Sequence, residues 1–216
     1  MLEGSNIIVL DLETANSADE VENGWRNKLG LGLSIGGYYD YQTERVQFFD
    51  PSNLLATVSD LVARQCLMVS YNGVQFDFAL MRALLRHGAE TTNNPGIGRL
   101  CDSFKDLALR SYNILQQIWS ADPERRYEPG LNSLDAVAKA NQLGNKTGDG
   151  VQAPKDWQAG LYAKVVNYCC HDIYLTKHLF ELLLLQQGRL QRSNGALQIE
   201  SPKIYMENLG IRFGGK

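Results

Sequence analysis

Apolar and polar positions alternate in blocks along this chain, and the first block is the most sharply defined. Residues Ile7, Ile8, Val9 and Leu10 are consecutive and apolar, three of them β-branched, which predicts a short buried strand. Asp11-Leu12-Glu13-Thr14 follows directly, so a continuing strand turns Asp11 and Glu13 to one face. Residues 15–29 are polar and read as a loop with some helix. Strands are expected over 31–39 and Arg45–Phe49, with 40–44 as a hairpin connection. Asp50-Pro51-Ser52 marks a helix start, and Leu54, Leu55, Val58, Leu61 and Val62 keep helical spacing.

The second half continues the alternation. Residues 67–71 read as a strand broken by Asn72-Gly73, and 76–87 as a helix that Gly88 ends. A weak fifth strand is expected over 99–101. Asp102 or Ser103 would cap a helix running to about Trp119. Residues 120–130 form a polar loop, 132–143 a short helix, and 144–155 a glycine-rich, mobile stretch. A long helix spans about 160–185. Asn194-Gly195 then sits between two short runs as a hairpin signal. Alternating strands and helices predict an α/β domain over 1–187, with a C-terminal hairpin and tail over 188–216. The two early hairpins place an antiparallel strand in a mixed sheet.

Composition changes this picture little. A chain of 216 residues with 44% hydrophobic and 21% charged residues can bury a sizeable core. Its net charge of −3 offers no global attraction for a polyanion, which would need a local basic surface or bound metal. Cys66, Cys101, Cys169 and Cys170 have no framework spacing and read as small apolar residues in a reducing compartment. No secretion-signal pattern opens the chain, and the apolar run 179–185 is too short to cross a bilayer. The expectation is a cytoplasmic protein without a membrane partner.

Candidate chemistry centres on acids. Two carboxylates at the end of a buried strand are costly without a cation between them; solvated acids at a strand end are the plain alternative. A second Asp-x-Glu, Asp122-Pro123-Glu124, lies in a polar loop and shows how little the tripeptide alone conveys. Asp77 falls where a strand hands over to a helix, the place where ligands collect in open α/β sheets. There an acid also complements the helix dipole. Tyr168 and Asp172 are four apart on the long helix and share a face, among apolar neighbours.

Asp11-x-Glu13, Asn72…Phe76-Asp77 and Tyr168-x-x-x-Asp172 together, in this order, resemble the DEDD 3′–5′ exonucleases, which have a ribonuclease H-like fold. Tyr168 resembles the tyrosine branch, since the histidine branch expects His where this chain has Asn167. A looser likeness, through Trp157…Gly160…Tyr168, is to ribonuclease H-like domains found beside some helicases. The resemblance implies a five-stranded mixed sheet and hydrolysis of DNA or RNA from a free 3′ end, single-stranded or frayed. Nucleoside 5′-monophosphates would be released, with replication or repair proteins as partners.

It also implies two divalent cations, Mg²⁺ or Mn²⁺, on Asp11, Glu13, Asp77 and Asp172, with Tyr168 orienting the attacking water. All-oxygen ligands suit these hard ions rather than zinc. A pair of such ions can activate water and stabilise a leaving oxygen. Thr14, Asn72 and Phe76 are candidates to hold the terminal nucleotide. Lys146, Arg125 and Arg126 are candidate phosphate contacts from the loops. His171 and His178 have no part in an oxygen-rich site. The alternative reading is a catalytically silent nucleic-acid-binding or scaffolding module on the same fold.

Overall fold

The structure, a computed structural model, describes residues 2, 4–146 and 150–211. A five-stranded mixed sheet organises it, in the order β3-β2-β1-β4-β5. These are β1 (Ile7–Thr14), β2 (Leu33–Asp40), β3 (Arg45–Phe49), β4 (Leu67–Ser70) and β5 (Tyr112–Asn113). β2 runs antiparallel to both β1 and β3, whereas β4 is parallel to β1 and β5 parallel to β4. The mixed α/β architecture and the early antiparallel strand are therefore as the alternation predicts.

β1 lies at the centre and is covered on both faces, which is why its first four residues are all apolar. Ile8, Leu10 and Leu12 pack on one side. There they meet α2 (Leu54–Arg64), α3 (Asp77–Thr92) and α4 (Pro95–Leu109) through Val58, Leu61, Phe78, Met81 and Phe104. Ile7 and Val9 pack on the other, in the cluster with Leu175, Leu179, Phe180 and Leu183 of α8 (Tyr162–Leu185). The face turned to α8 thus changes from Ile7 and Val9 to Asp11 and Glu13 as β1 proceeds. Burying each of the two aliphatic side chains contributes roughly 1.5–3 kcal/mol and anchors the acids that follow.

Gly37 of β2 pairs with Asp11, and its bareness lets α8 come close. A Cβ there would stand 2.9 Å from Ile173 Cδ1 and 2.9 Å from the Phe48 ring. Ile173 is the neighbour of Asp172, so this contact helps set how near Asp172 comes to β1.

The chain departs from the sequence expectations at several points. Residues 99–101 are helical, within α4, because Ile97, Cys101, Phe104 and Ala108 keep one face against the core. Asn94 caps that helix by accepting the Gly96 N–H at 2.9 Å. The fifth strand is instead Tyr112–Asn113, and it divides the expected 102–119 helix; α5 (Ile114–Ala121) follows it. Gly88 does not end α3, which continues to Thr92 and stops at left-handed Asn93. The 132–143 helix is shorter, α6 (Leu134–Ala140), with Ser133 as its cap. Within 144–155, residues 147–149 lie outside the described residues, and α7 (Ala153–Gln158) begins before the expected end. Residues 15–29 hold a 3-10 turn at Gly24–Arg26, and a one-turn helix, α1 (Lys28–Leu31), begins at their end.

The C-terminal hairpin forms as expected from β6 (Arg189–Arg192) and β7 (Gly195–Gln198). Beyond it, α9 (Pro202–Asn208) buries Met206 in the α8-side cluster, and Tyr205 donates from its hydroxyl to the Ser111 carbonyl at 2.9 Å. All four cysteines are free thiols. Among the described residues, no helix is long and apolar enough to cross a membrane.

Candidate metal centre

Three carboxylates from opposite ends of the sequence meet at the C-terminal part of β1. One oxygen each from Asp11, Glu13 and Asp172 lies within 4.8 Å of the others. β1 supplies two of them by its two-residue alternation, and α8, docked across that face, supplies the third. The Cys169 thiol, one turn before Asp172, donates to the Asp11 carbonyl at 3.5 Å and ties helix to strand. Asp77 enters from the first residue of α3, where the nearby Leu12 backbone N–H favours its charged form. All four acids line one cleft of about 380 Å³.

Such crowding raises proton affinity. Burial first, then the charges of Asp172, Asp77 and Glu13, pushes the Asp11 carboxyl well above its ordinary value. Glu13 is pushed up to about 8 by burial and then by Asp172. Asp77 is pushed up to about 7, chiefly by burial. Asp172 is also raised by burial, with Lys146 pulling the other way.

One cation is already present. Lys146 Nζ ion-pairs with Asp172 Oδ2 inside the cleft. Burial lowers its proton affinity, but Asp172, Asp11 and Glu13 more than offset that and hold it protonated. The segment bearing it is fixed by two further bonds. The Lys146 N–H donates to Asp135 Oδ1 at 2.9 Å, and His171 Nε2 lies 2.6 Å from the Asn145 carbonyl oxygen. His171 thus has a structural use and is not part of the acid cluster.

No family model matches the chain, and no curated protein matches it. The site must therefore be judged on its own chemistry. Asp11 Oδ2 is buried without a hydrogen-bond partner, beside two other carboxylates in an all-oxygen set. A hard divalent cation answers both conditions, and one lysine ammonium answers only part of the charge.

The remaining candidate residues fall into two groups. Thr14, Asn72 and Phe76 line the same cleft. Thr14 donates from Oγ1 to the Asn16 carbonyl at 3.1 Å, whereas Asn72 Oδ1 is buried without a partner. Phe76 is met edge-on by Trp25 at 5.6 Å, and Lys28 Nζ lies 4.3 Å from its ring centre. Tyr168 belongs to the second group. It is not in the cleft lining; Lys164 Nζ lies 5.5 Å from its ring centre and pairs with Asp156 Oδ2 at 2.7 Å. Arg125 faces Glu128 at 3.9 Å, outside the cleft lining.

Sequence reasoning missed Trp25, Lys28 and Asp156. A lone tryptophan within a polar loop was the only signal for the first. Lys28 and Asp156 had none, because their roles depend on which loop folds beside which helix.

Proposed function

We propose that the chain is a metal-dependent 3′–5′ exonuclease with a ribonuclease H-like fold, of the DEDD type and its tyrosine branch. One observation carries this reading: Asp11, Glu13 and Asp172 converge within 4.8 Å, on a cleft that Asp77 also lines. The strand order and the antiparallel β2 agree with the layout that the motifs imply.

Asp11, Glu13 and Asp172 would hold one divalent cation, Mg²⁺ or Mn²⁺, and Asp77 would help to hold a second. Ions there lower the pKa of a bound water and neutralise charge on a phosphodiester. The chain's own groups do the rest. Thr14, Asn72 and Phe76, which line the cleft, orient the terminal nucleotide. Lys146, released from Asp172, contacts a phosphate oxygen. Tyr168, one turn before Asp172 on α8, would orient the attacking water. Its role there is that of a positioning group.

The test is incubation with end-labelled single- and double-stranded DNA and RNA, with Mg²⁺, Mn²⁺ or EDTA, beside Asp11→Ala. Shortening from the 3′ end only, with metal only and abolished in Asp11→Ala, is the expected result. Equal degradation by Asp11→Ala would remove the cluster from the reaction.

A second reading draws on the Lys146–Asp172 pair. A built-in cation partly neutralises the cluster, as a catalytically silent nucleic-acid-binding module in a replication, repair or helicase assembly would require. Binding of oligonucleotides without metal uptake or cleavage would favour that reading.

A further inference from the structure

The loop that follows α5 carries a cation, Arg126, that has no acidic partner among the described residues. The Arg126 guanidinium lies 4.3 Å from the Trp119 ring centre and 5.1 Å from that of Tyr127. The two rings are 6.1 Å apart. Among the described residues the Arg126 side chain has neither an ion pair nor a hydrogen bond, and its Nε is shielded without an acceptor. Stacking alone holds it. Tyr127 is 79% exposed, far more than packing would leave a ring that had only a core to serve.

This cluster is coupled to the cleft through Asn132. Asn132 lines the cleft, and its Nδ2 donates to the Arg125 carbonyl at 2.9 Å and the Arg126 carbonyl at 3.3 Å. Its own carbonyl accepts the Tyr71 hydroxyl at 2.7 Å, and buried Arg192 donates to its Oδ1 at 3.1 Å. The backbone that carries Arg126 is thus tied directly to a residue of the cleft lining.

We infer that Arg126 and Tyr127 form a platform for single-stranded nucleic acid, taking nucleotides upstream of the bond cleaved in the acid cluster. A base lies on the exposed Tyr127 face, and the adjoining phosphate meets the unpaired guanidinium. Every base offers a π-face, so the platform is tolerant of sequence. Arg126 is pre-oriented by its rings, so little side-chain freedom is lost on binding a phosphate. Glu124 and Glu128 keep the loop near neutral, and Glu128 faces Arg125. Attraction therefore comes from stacking and one phosphate contact, with a shallow salt dependence. The direction of the strand rests on the exonuclease reading; the platform itself does not.

The test compares the unsubstituted chain with Tyr127→Ala and Arg126→Ala. Fluorescence anisotropy in EDTA reads binding of an oligothymidylate of about twelve nucleotides, a length within the range of single-strand sites. Turnover of the p-nitrophenyl ester of thymidine 5′-monophosphate, with Mn²⁺, reads the acid cluster without the upstream strand. Each substitution is expected to weaken oligonucleotide binding by roughly tenfold, with ester turnover and thermal midpoint unchanged. Because Tyr127 is so exposed, Tyr127→Ala keeps the fold intact. Oligonucleotide affinity within twofold of the unsubstituted chain in both variants overturns the platform. So does an equal loss on the ester, which would mark a structural role. If no ester or oligonucleotide is cleaved under any metal, the exonuclease reading fails, and anisotropy still decides the platform.

Discussion

Lys146 Nζ sits against Asp172 Oδ2, inside the same carboxylate cluster that reads as a metal centre. A lysine ammonium and a divalent cation are competitors for one set of oxygens. On the proposed reading a metal ion would displace Lys146, so its affinity would be the intrinsic one reduced by that exchange.

Lys146→Met removes the competitor and keeps most of the side chain's bulk. Mn²⁺ is expected to bind about tenfold more tightly, a difference of about 1.4 kcal/mol. Calorimetric titration or Mn²⁺ electron resonance measures this directly. For scale, Mn²⁺ at about a hundred times its Kd adds about 2.7 kcal/mol, or roughly 5–10 °C for a chain of this length. Weaker Mn²⁺ binding in Lys146→Met would make Lys146 a helper of the metal and not its rival.

The raised carboxyls fix how stability responds to pH. Glu13 rises from an ordinary 4.5 to about 8, and Asp77 from 3.8 to about 7. The folded state therefore holds protons that the unfolded state releases. Their contribution is fully present below the unfolded pKa values and is lost as pH climbs through the folded ones. Without metal, the thermal midpoint is expected to fall from about pH 5 to about pH 9, apart from other groups. The gain from Mn²⁺ grows over the same window, because metal binding must expel those protons. Melting curves in EDTA and in Mn²⁺ across this range check both slopes, and a flat Mn²⁺ gain would contradict the assignment.

Tyr168 and Asp156 give a separable pair of substitutions. Tyr168→Phe is expected to lower kcat by roughly ten- to a hundredfold, while Mn²⁺ affinity stays as it was. Asp156→Asn weakens the pairing of Lys164, whose ammonium lies 5.5 Å from the Tyr168 ring centre. It should preserve kcat, at a cost in stability from the lost Lys164 pair. Stopped-flow turnover with metal titrations separates the two, and unchanged kinetics in Tyr168→Phe would dismiss the hydroxyl.

Gly37→Ala tests how α8 is seated. The new methyl meets Ile173 Cδ1 and the Phe48 ring, so one of these side chains must shift, or α8 must move with Ile173. Overpacking of this kind costs about 1–3 kcal/mol. Mn²⁺ affinity should fall as well, because Asp172 retreats with its neighbour. Loss of stability with full Mn²⁺ affinity would show that Ile173 repacks on its own.

Much of the framework can be read from residue order, for identifiable reasons. β1 is legible because a fully buried strand is a continuous apolar run, and the shared face of Asp11 and Glu13 follows from strand alternation. Tyr112–Asn113 is not, because two residues carry no period and the core-facing residues of α4 resemble a weak strand. Helical spacing puts Tyr168 and Asp172 on one face, yet it does not say that Asp156 of α7 pairs with Lys164 beside the tyrosine ring. Lys146 is visible as a loop cation. That it lies among the carboxylates depends on Asp135 and His171 fixing its backbone, which no local pattern reveals.

The central position of β1 and the late arrival of α8 have a consequence for failure. Residues 162–185 bury nine side chains, four of them in one cluster with Ile7 and Val9, so this helix leaves the sheet only when the core opens. The helix amides and those of β1 are expected to exchange with deuterium together, and the cage of oxygens to last as long as the scaffold that carries it.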